Sequence, residues 1–352
     1  MAVPAAAGPA LSPCLARILR GEHLTSAEAE SAFTLVMEGR ATSVQIAALL
    51  VGLKVKGEVP AEVAGGVRAL RRAMVPVPVA SGHTIVDTCG TGGGKITTFN
   101  ISTAAALVTA GAGVRVAKHG NRSFTSRCGS ADVLQALGVA IELEPQAMAE
   151  VLDRAGIVFM FAPLLHPAMR HVAPVRKELG VPTIMNLLGP LTNPAGARRQ
   201  LVGVAEPRLL ELIAGALAEL GHDSALVVHG APGLDELSPV GASDVLEVRS
   251  GSVHRRRFEP SQQFGWRGLR IEELAGGEPA ENARIIQEVL SGGGTATARA
   301  AVALNTGAAL LVAGRVDSVE DGVAEAERAL DAGAGRDALE RLRRESRRVA
   351  KQ

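Results

Sequence analysis

Glycines and small hydroxyl residues crowd one stretch of this chain. Asp87-Thr88-Cys89-Gly90-Thr91-Gly92-Gly93-Gly94-Lys95 closes an apolar run, and Thr98-Phe99-Asn100-Ile101-Ser102-Thr103 leads into a run of small residues. Glycines at a strand end let main-chain N–H groups approach an anion closely. A helix start with surplus hydroxyls suits phosphate. Plain capping would explain Ser102 or Thr103, but not Thr98, Asn100, Ser102 and Thr103 together. Two glycine signatures fail. A Walker loop needs Ser or Thr where Ile96 stands, and a dinucleotide fingerprint needs Gly at Lys95. Alone, the glycine run reads equally as an anion site or a structural turn.

Three other segments could join it. Lys118-His119-Gly120-Asn121-Arg122-Ser123-Phe124-Thr125-Ser126-Arg127-Cys128-Gly129-Ser130-Ala131-Asp132 follows an apolar run and mixes cations with hydroxyls. It is either a solvated loop or a receptor for a highly phosphorylated ligand. Arg170, His171, Arg176 and Lys177 form a solvated face or a carboxylate receptor. Asp235-Glu236 are solvated acids or, opposite a phosphate site, Mg²⁺ ligands. Mg²⁺ is commonly held by one or two carboxylates plus phosphate oxygens.

Composition narrows the function classes. The chain has 352 residues, 47% apolar, with a net charge of +1. That supports a packed core and disfavours a dedicated nucleic-acid binder. With no Tyr, one Trp and seven Phe, a stacking platform for bases is not expected. Cys14, Cys89 and Cys128 lie too far apart for a zinc ribbon or a disulfide framework. The N-terminus lacks a basic start followed by an apolar run, so a cytoplasmic protein is expected. The apolar stretch from Thr295 to Gly314 reads as a buried helix rather than a membrane span.

The elements that must position these groups follow from periodicity. Thr25 and Glu28 form a capping box, and helices fit to Gly39, over Ser43–Leu53 and from Pro60 to about Met74. After the linker Val75–Gly82, strands alternate with helices, which predicts a mainly parallel sheet covered by helices. Expected strands include His83–Gly90, the run into Lys118, Val139–Leu143, Gly156–Pro163, Gln200–Pro207 and Ser224–Gly233. Expected helices include Ser130–Leu137, Gln146–Ala155, His166–Gly180 and Pro207–Leu220. A hairpin turns at Ser250-Gly251, and its His254-Arg255-Arg256-Arg257 reads as a solvated strand. Three helices close the chain: Thr295–Val312, Ser318–Asp331 and Arg336–Val349.

Together, GTGG at 90–93, NIST at 100–103, KHGNR at 118–122, GSAD at 129–132, HPAMRHVAPVRKELG at 166–180, NLLGPLTNPA at 186–195 and DELS at 235–238 make the chain resemble the anthranilate phosphoribosyltransferase family. The resemblance spans nearly the whole chain. It implies an α/β fold of the nucleoside phosphorylase/phosphoribosyltransferase type, with a small helical domain and a larger α/β domain with a mainly parallel sheet. The helical domain would span 1–78, joined by a segment near 168–190, and the α/β domain 79–352. The implied reaction joins the phosphoribosyl group of 5-phosphoribosyl 1-pyrophosphate to the amine of anthranilate, an early step of tryptophan biosynthesis. Its implied cofactor is Mg²⁺, and its implied assembly is a homodimer joined through the helical domains. No nucleic acid or membrane partner is implied.

Carried over by position, the donor would be held by Gly90, Gly93, Gly94, Thr98, Asn100, Ile101, Ser102 and Thr103, and by Lys118, His119, Gly120, Asn121, Arg122, Ser123, Phe124, Thr125, Ser126 and Ser130. Anthranilate would meet Gly90, Asn121 and Arg176. Ser102, Asp235 and Glu236 would ligate metal, and Lys118, His119 and Arg176 would form the catalytic set. The family places Asp where Gly94 stands, Ser where Thr125 stands and commonly Ser where Cys128 stands. Rival readings are a pyrimidine nucleoside phosphorylase-like enzyme and a non-enzymatic nucleic-acid-binding relative.

Overall fold

The computed structural model describes residues 11–80, 82–94, 96–123 and 127–351. Four helices come first: α1 (Ser12–Leu19), α2 (Ser26–Met37), α3 (Ser43–Lys56) and α4 (Pro60–Ala73). Their starts are written locally. Thr25 Oγ1 accepts the Glu28 N–H at 3.3 Å, and the Glu28 carboxylate accepts the Thr25 N–H at 2.8 Å. Thr42 and Gln45 repeat the box, and Pro60 sits at the first position of α4, where no N–H is needed. One buried group joins three of these pieces. The Glu62 carboxylate accepts the Leu24 and Val59 N–H groups at 2.9 and 3.1 Å and pairs with Lys56 at 2.9 Å.

The α/β part adds β1 (Ile85–Gly90), α5 (Ile101–Gly111), β2 (Arg115–Gly120), α6 (Ser130–Ala136), α7 (Pro145–Ala155), β3 (Ile157–Phe161), β4 (Arg199–Gly203), β5 (Ser224–Gly230), β6 (Ser243–Arg249) and β7 (Ser252–Phe258). These make one seven-stranded sheet in the order β3-β2-β1-β4-β5-β6-β7. The first five are parallel and the last two antiparallel. Strand residues alternate between two cores, as a period of two requires. Leu201, Leu226 and Val228 face α5, α7 and the C-terminal helices. Val202, Ala225 and Val227 face α1–α4, the helix Leu209–Glu219 and the segment 172–191. The apolar helix Ala296–Ala313 is mostly buried, as a core helix should be.

Three expectations change. Val139–Leu143 is no strand: Val139, Ile141 and Leu143 are buried by alternation, but the segment stays outside the sheet. The expected helix over His166–Gly180 breaks into a 3₁₀ turn, Pro167–His171, and a helix, Ala173–Leu179. Pro174 offers no N–H and crowds the preceding turn. A helix at Pro279–Leu290 was not expected, and it buries Ala283, Ile286, Val289 and Leu290. The hairpin turns where expected, with Ser250 and Gly251 both at positive φ, the geometry of a two-residue hairpin loop.

Candidate active site

β1 lies where the strand order reverses, with β2 on one side and β4 on the other. In open α/β sheets ligands gather at the carboxyl ends of strands at such a point. Asp235 and Glu236, just beyond β5, come back to that place. An added Cβ at Gly90 would sit 2.9 Å from Asp235 Oδ2, and one at Gly94 3.5 Å from Asp235 Oδ1. The Asp235 carboxylate is thus seated against the glycine turn, with a hydrogen bond from the Gly92 main chain. Gly203 has no room for a side chain because the Asp235 main chain packs on it.

Glu236 reaches α5. Its Oε1 accepts the Ser102 N–H at 3.1 Å. Asn100 is the residue at the helix start, yet its side chain makes no cap. The cap comes instead from a carboxylate far along the chain, attracted by the positive end of the helix. Burial raises Asp235 above the usual carboxylate range, and burial beside Asp235 raises Glu236 to about 8. Two adjacent, partly exposed carboxylates whose pKa values are both raised make a place where a cation would be stabilising.

Lys118 supplies part of that charge. It is 3% exposed, and Nζ donates to the Thr88 carbonyl at 2.5 Å and to Ser102 Oγ at 3.3 Å. Burial lowers its pKa, while Asp87 and Glu236 oppose that shift. His119 follows. Its N–H bonds Asp87 Oδ1 at 3.2 Å, its ring is 3.1 Å from His166 between Nε2 atoms, and the Gly189 main chain bonds the same ring. Burial holds His119 down at about 3 and His166 at about 4.

The turn after β2 is organised by Asp132, which accepts the N–H groups of Ser123 and Gly129 and pairs with Arg122 at 2.9 Å. Arg122 also lies over Phe161, 5.6 Å from the ring centre. Ser130 Oγ donates to the Asn121 carbonyl at 3.3 Å. The Phe159 ring lies 2.8 Å from where a Cβ of Gly120 would be. Phe124, Thr125, Ser126 and Lys95 lie outside the described residues. So Gly90, Gly94, Ser102, Lys118, Asp235 and Glu236 come together, with the His119–Ser123 turn following directly on Lys118.

Some residues expected to meet the donor spend hydrogen-bonding groups inside the protein. Ile101 and Thr103 are each 1% exposed, and their N–H groups are spent on the Phe99 and Asn100 carbonyls. Ile101 has no polar side-chain group to offer, whereas the Thr103 hydroxyl is buried without a hydrogen-bond partner among the described residues. The Asn100 amide is committed to the Cys128 carbonyl and to Asn282. Thr98 bridges Ala275 through its backbone. The basic cluster also divides. Arg170 and Lys177 are exposed, and His171 packs against Gly39. Arg176 is half-buried, its pKa lowered by burial, and among the described residues it has no carboxylate partner. It lies on the segment that begins at His166 and ends near Gly189, both of which hold His119. Sequence reasoning missed Asp87, Asn193, Asp132 and His166 as site-building residues. Their only signal was membership in the quoted motifs.

Comparison with known proteins agrees with this geometry. Residues 12–74 match a family described as "Glycosyl transferase family, helical bundle domain" and residues 82–336 its a/b domain. An anthranilate phosphoribosyltransferase from Rubrobacter xylanophilus is 51% identical over 97% of this chain and 98% of its own. The chain belongs to the anthranilate phosphoribosyltransferase family. The crystal structure of the family member from Thermus thermophilus is 44% identical, with a TM-score of 0.89, covering 95% of this chain and 99% of that one. The Saccharomyces cerevisiae member, solved in complex with PRPP and Mg, is 27% identical with a TM-score of 0.86, over 96% and 98% of the two chains. At Gly94, where the resemblance leads one to expect Asp, a carboxyl group would lie beside Asp235.

Proposed function

We propose that the site of this phosphoribosyltransferase moves the phosphoribosyl group of 5-phosphoribosyl 1-pyrophosphate to the anthranilate amine, releasing pyrophosphate. One observation carries the reading: the Glu236 carboxylate and the Lys118 ammonium meet at Ser102, on the N-terminus of α5. That groups a cation seat, a cation and a helix N-terminus at one strand-end crevice. Among the described residues no cluster of three His, Cys, Asp or Glu side chains forms a complete metal cage. Asp235, Glu236 and the Ser102 hydroxyl would hold Mg²⁺ in the manner that leaves substrate phosphates to complete the shell. When bound, the ion adds positive charge beside the departing diphosphate.

The chain's own groups do the rest. Lys118, the glycine turn and the His119–Ser123 turn bind the donor and offset its charge. Arg176 takes the anthranilate carboxylate through a forked contact and aims the amine at the sugar carbon. The aromatic amine is neutral near pH 7 and needs little help from a base. His119 fits that chemistry as a positioning group, because an imidazole held at about 3 is a poor proton acceptor. The deciding assay follows anthranilate fluorescence with the donor, with and without Mg²⁺. Consumption that requires both supports the reading, and no consumption ends it. Asp235→Asn with Glu236→Gln should weaken the Mg²⁺ response of turnover, and an unchanged titration would remove the metal assignment.

The rest of the reading concerns assembly. Val44, Val51 and Val55 lie exposed along α3, beside exposed Leu19 at the end of α1. We assign that stripe to a second copy of the chain, giving a homodimer through the helical part. The segment near 168–190 goes with that part, because Val172, Val175, Met185 and Leu188 share its core. The basic stretch named for the nucleic-acid rival is ion-paired, which speaks against that reading. Arg255, Arg256 and Arg257 pair with Glu211, Glu247 and Glu259 at 2.6–2.9 Å. A cytoplasmic location belongs to this proposal.

A further inference from the structure

The ladder between β1 and β2 stops early. β1 pairs with β4 as far as Gly90↔Gly203, and β2 with β3 as far as Gly120↔Phe161. Yet β1 and β2 pair only at Ile85↔Arg115 and Val86↔Val116. Continued in the same register, the Thr88 carbonyl would accept the His119 N–H, and the Ala117 carbonyl would accept the Thr88 N–H. Side chains take those groups instead. Asp87 Oδ1 accepts the His119 N–H at 3.2 Å, Asn193 Nδ2 donates to the Ala117 carbonyl at 2.9 Å, and Lys118 Nζ donates to the Thr88 carbonyl at 2.5 Å.

The substitutes are joined to one another. Asn193 Nδ2 also donates to Asp87 Oδ2 at 2.8 Å, and Asn193 Oδ1 accepts the Ala195 N–H at 2.9 Å, which fixes how the amide is turned. Asp87 and Asn193 are at most 1% exposed. A buried polar network this complete specifies one arrangement of the strands it touches. It also accounts for Asn193, the second asparagine of the NLLGPLTNPA motif.

We propose that Asp87 and Asn193 are positioning residues: their joined side chains hold β1 and β2 apart at the carboxyl end of the sheet, and so seat Lys118 and the His119–Asn121 turn for the phosphoribosyl donor. Zipping the ladder shut would return the Thr88 carbonyl to the His119 N–H. The Lys118 ammonium would then lose its shortest hydrogen bond and its place beside Ser102. Asp87 is also the first of the nearby acidic groups that oppose the lowering of this lysine's pKa by burial.

The proposal rests on the reading that Lys118 and its turn hold the donor. Its test compares Asn193→Ala and Asp87→Asn with Lys118→Ala, varying each substrate in turn and recording thermal unfolding. Asp87→Asn keeps the shape and one oxygen for the His119 N–H. The expected result is a donor KM raised at least about tenfold by Asn193→Ala and by Asp87→Asn, the scale of a lost charge-assisted hydrogen bond. The anthranilate KM should move less than about threefold, and unfolding should stay cooperative. Unchanged KM values with a kcat reduced only by the unfolded fraction would make the network merely structural and overturn the proposal. Failure of both variants to fold would overturn it in the same way. If Lys118→Ala leaves the donor KM unchanged, the reading of Lys118 is what fails. If Lys118→Ala acts but the other two do not, the proposal alone fails.

Discussion

Arg176 is half-buried and pairs with no carboxylate among the described residues. A guanidinium kept that way is available to a ligand carboxylate. Arg176→Ala should raise the anthranilate KM by about 10- to 100-fold, the value of a charged hydrogen bond, and the donor KM far less. Equal rises in both constants would remove the role. Gly90 is constrained by Asp235: the added methyl of Gly90→Ala would press on Oδ2 at 2.9 Å. Gly94 has slightly more room, with Asp235 Oδ1 at 3.5 Å. Gly94→Asp should therefore fold, add negative charge beside the acidic pair, tighten Mg²⁺ binding and move the Mg²⁺ optimum downward. A titration that overlays the parent would show that position to be silent.

At the scale of elements, the helical part is held by a buried ion pair that sequence patterning does not reveal. Glu62 is 0% exposed and serves two main-chain N–H groups as well as Lys56. Removing one member of such a pair strands the other. Glu62→Ala should cost about 3 kcal/mol in urea unfolding. The exposed pair of Arg255 with Glu211 should cost less than about 1 kcal/mol when broken. Equal costs would refute the difference in burial. The capping box at Thr25 was legible because both partners lie within one turn, and the box at Thr42, found only in the structure, has the same spacing. The cap on α5 was not legible, because Glu236 arrives from beyond β5.

For the whole molecule, acid is the sharpest probe. Burial first, with neighbouring positive groups, lowers His119 to about 3 and His222 to about 4, and burial alone lowers His166 to about 4. Each imidazole binds protons less readily folded than unfolded. Their stabilising effect is therefore complete above the unfolded value near 6.5 and is lost as pH falls toward 4. His222 sits away from the acidic pair, its Nε2 2.9 Å from Gln200 Oε1. His222→Gln should flatten the loss of stability between about pH 6.5 and 4. An unchanged slope would remove His222 from the acid response. The stripe on α3 belongs to this scale too. Val44→Asp with Val55→Asp should convert a dimer to monomers by light scattering, and a monomeric parent would refute the assembly.

The sequence by itself determined the alternation of helix and strand, the turns, the family and the segments DE, KHGN and NIST as candidates for the chemistry. These signals are local: caps, glycines and periodicity act within a few residues. Tertiary structure decided which of those residues share a crevice. It buried Ile101 and Thr103, turned Asn100 inward and brought Glu236 to α5. It also parted β1 from β2 with Asp87 and Asn193. Those outcomes depend on strand order and on hydrogen bonds between residues more than a hundred positions apart, which no window along the chain contains.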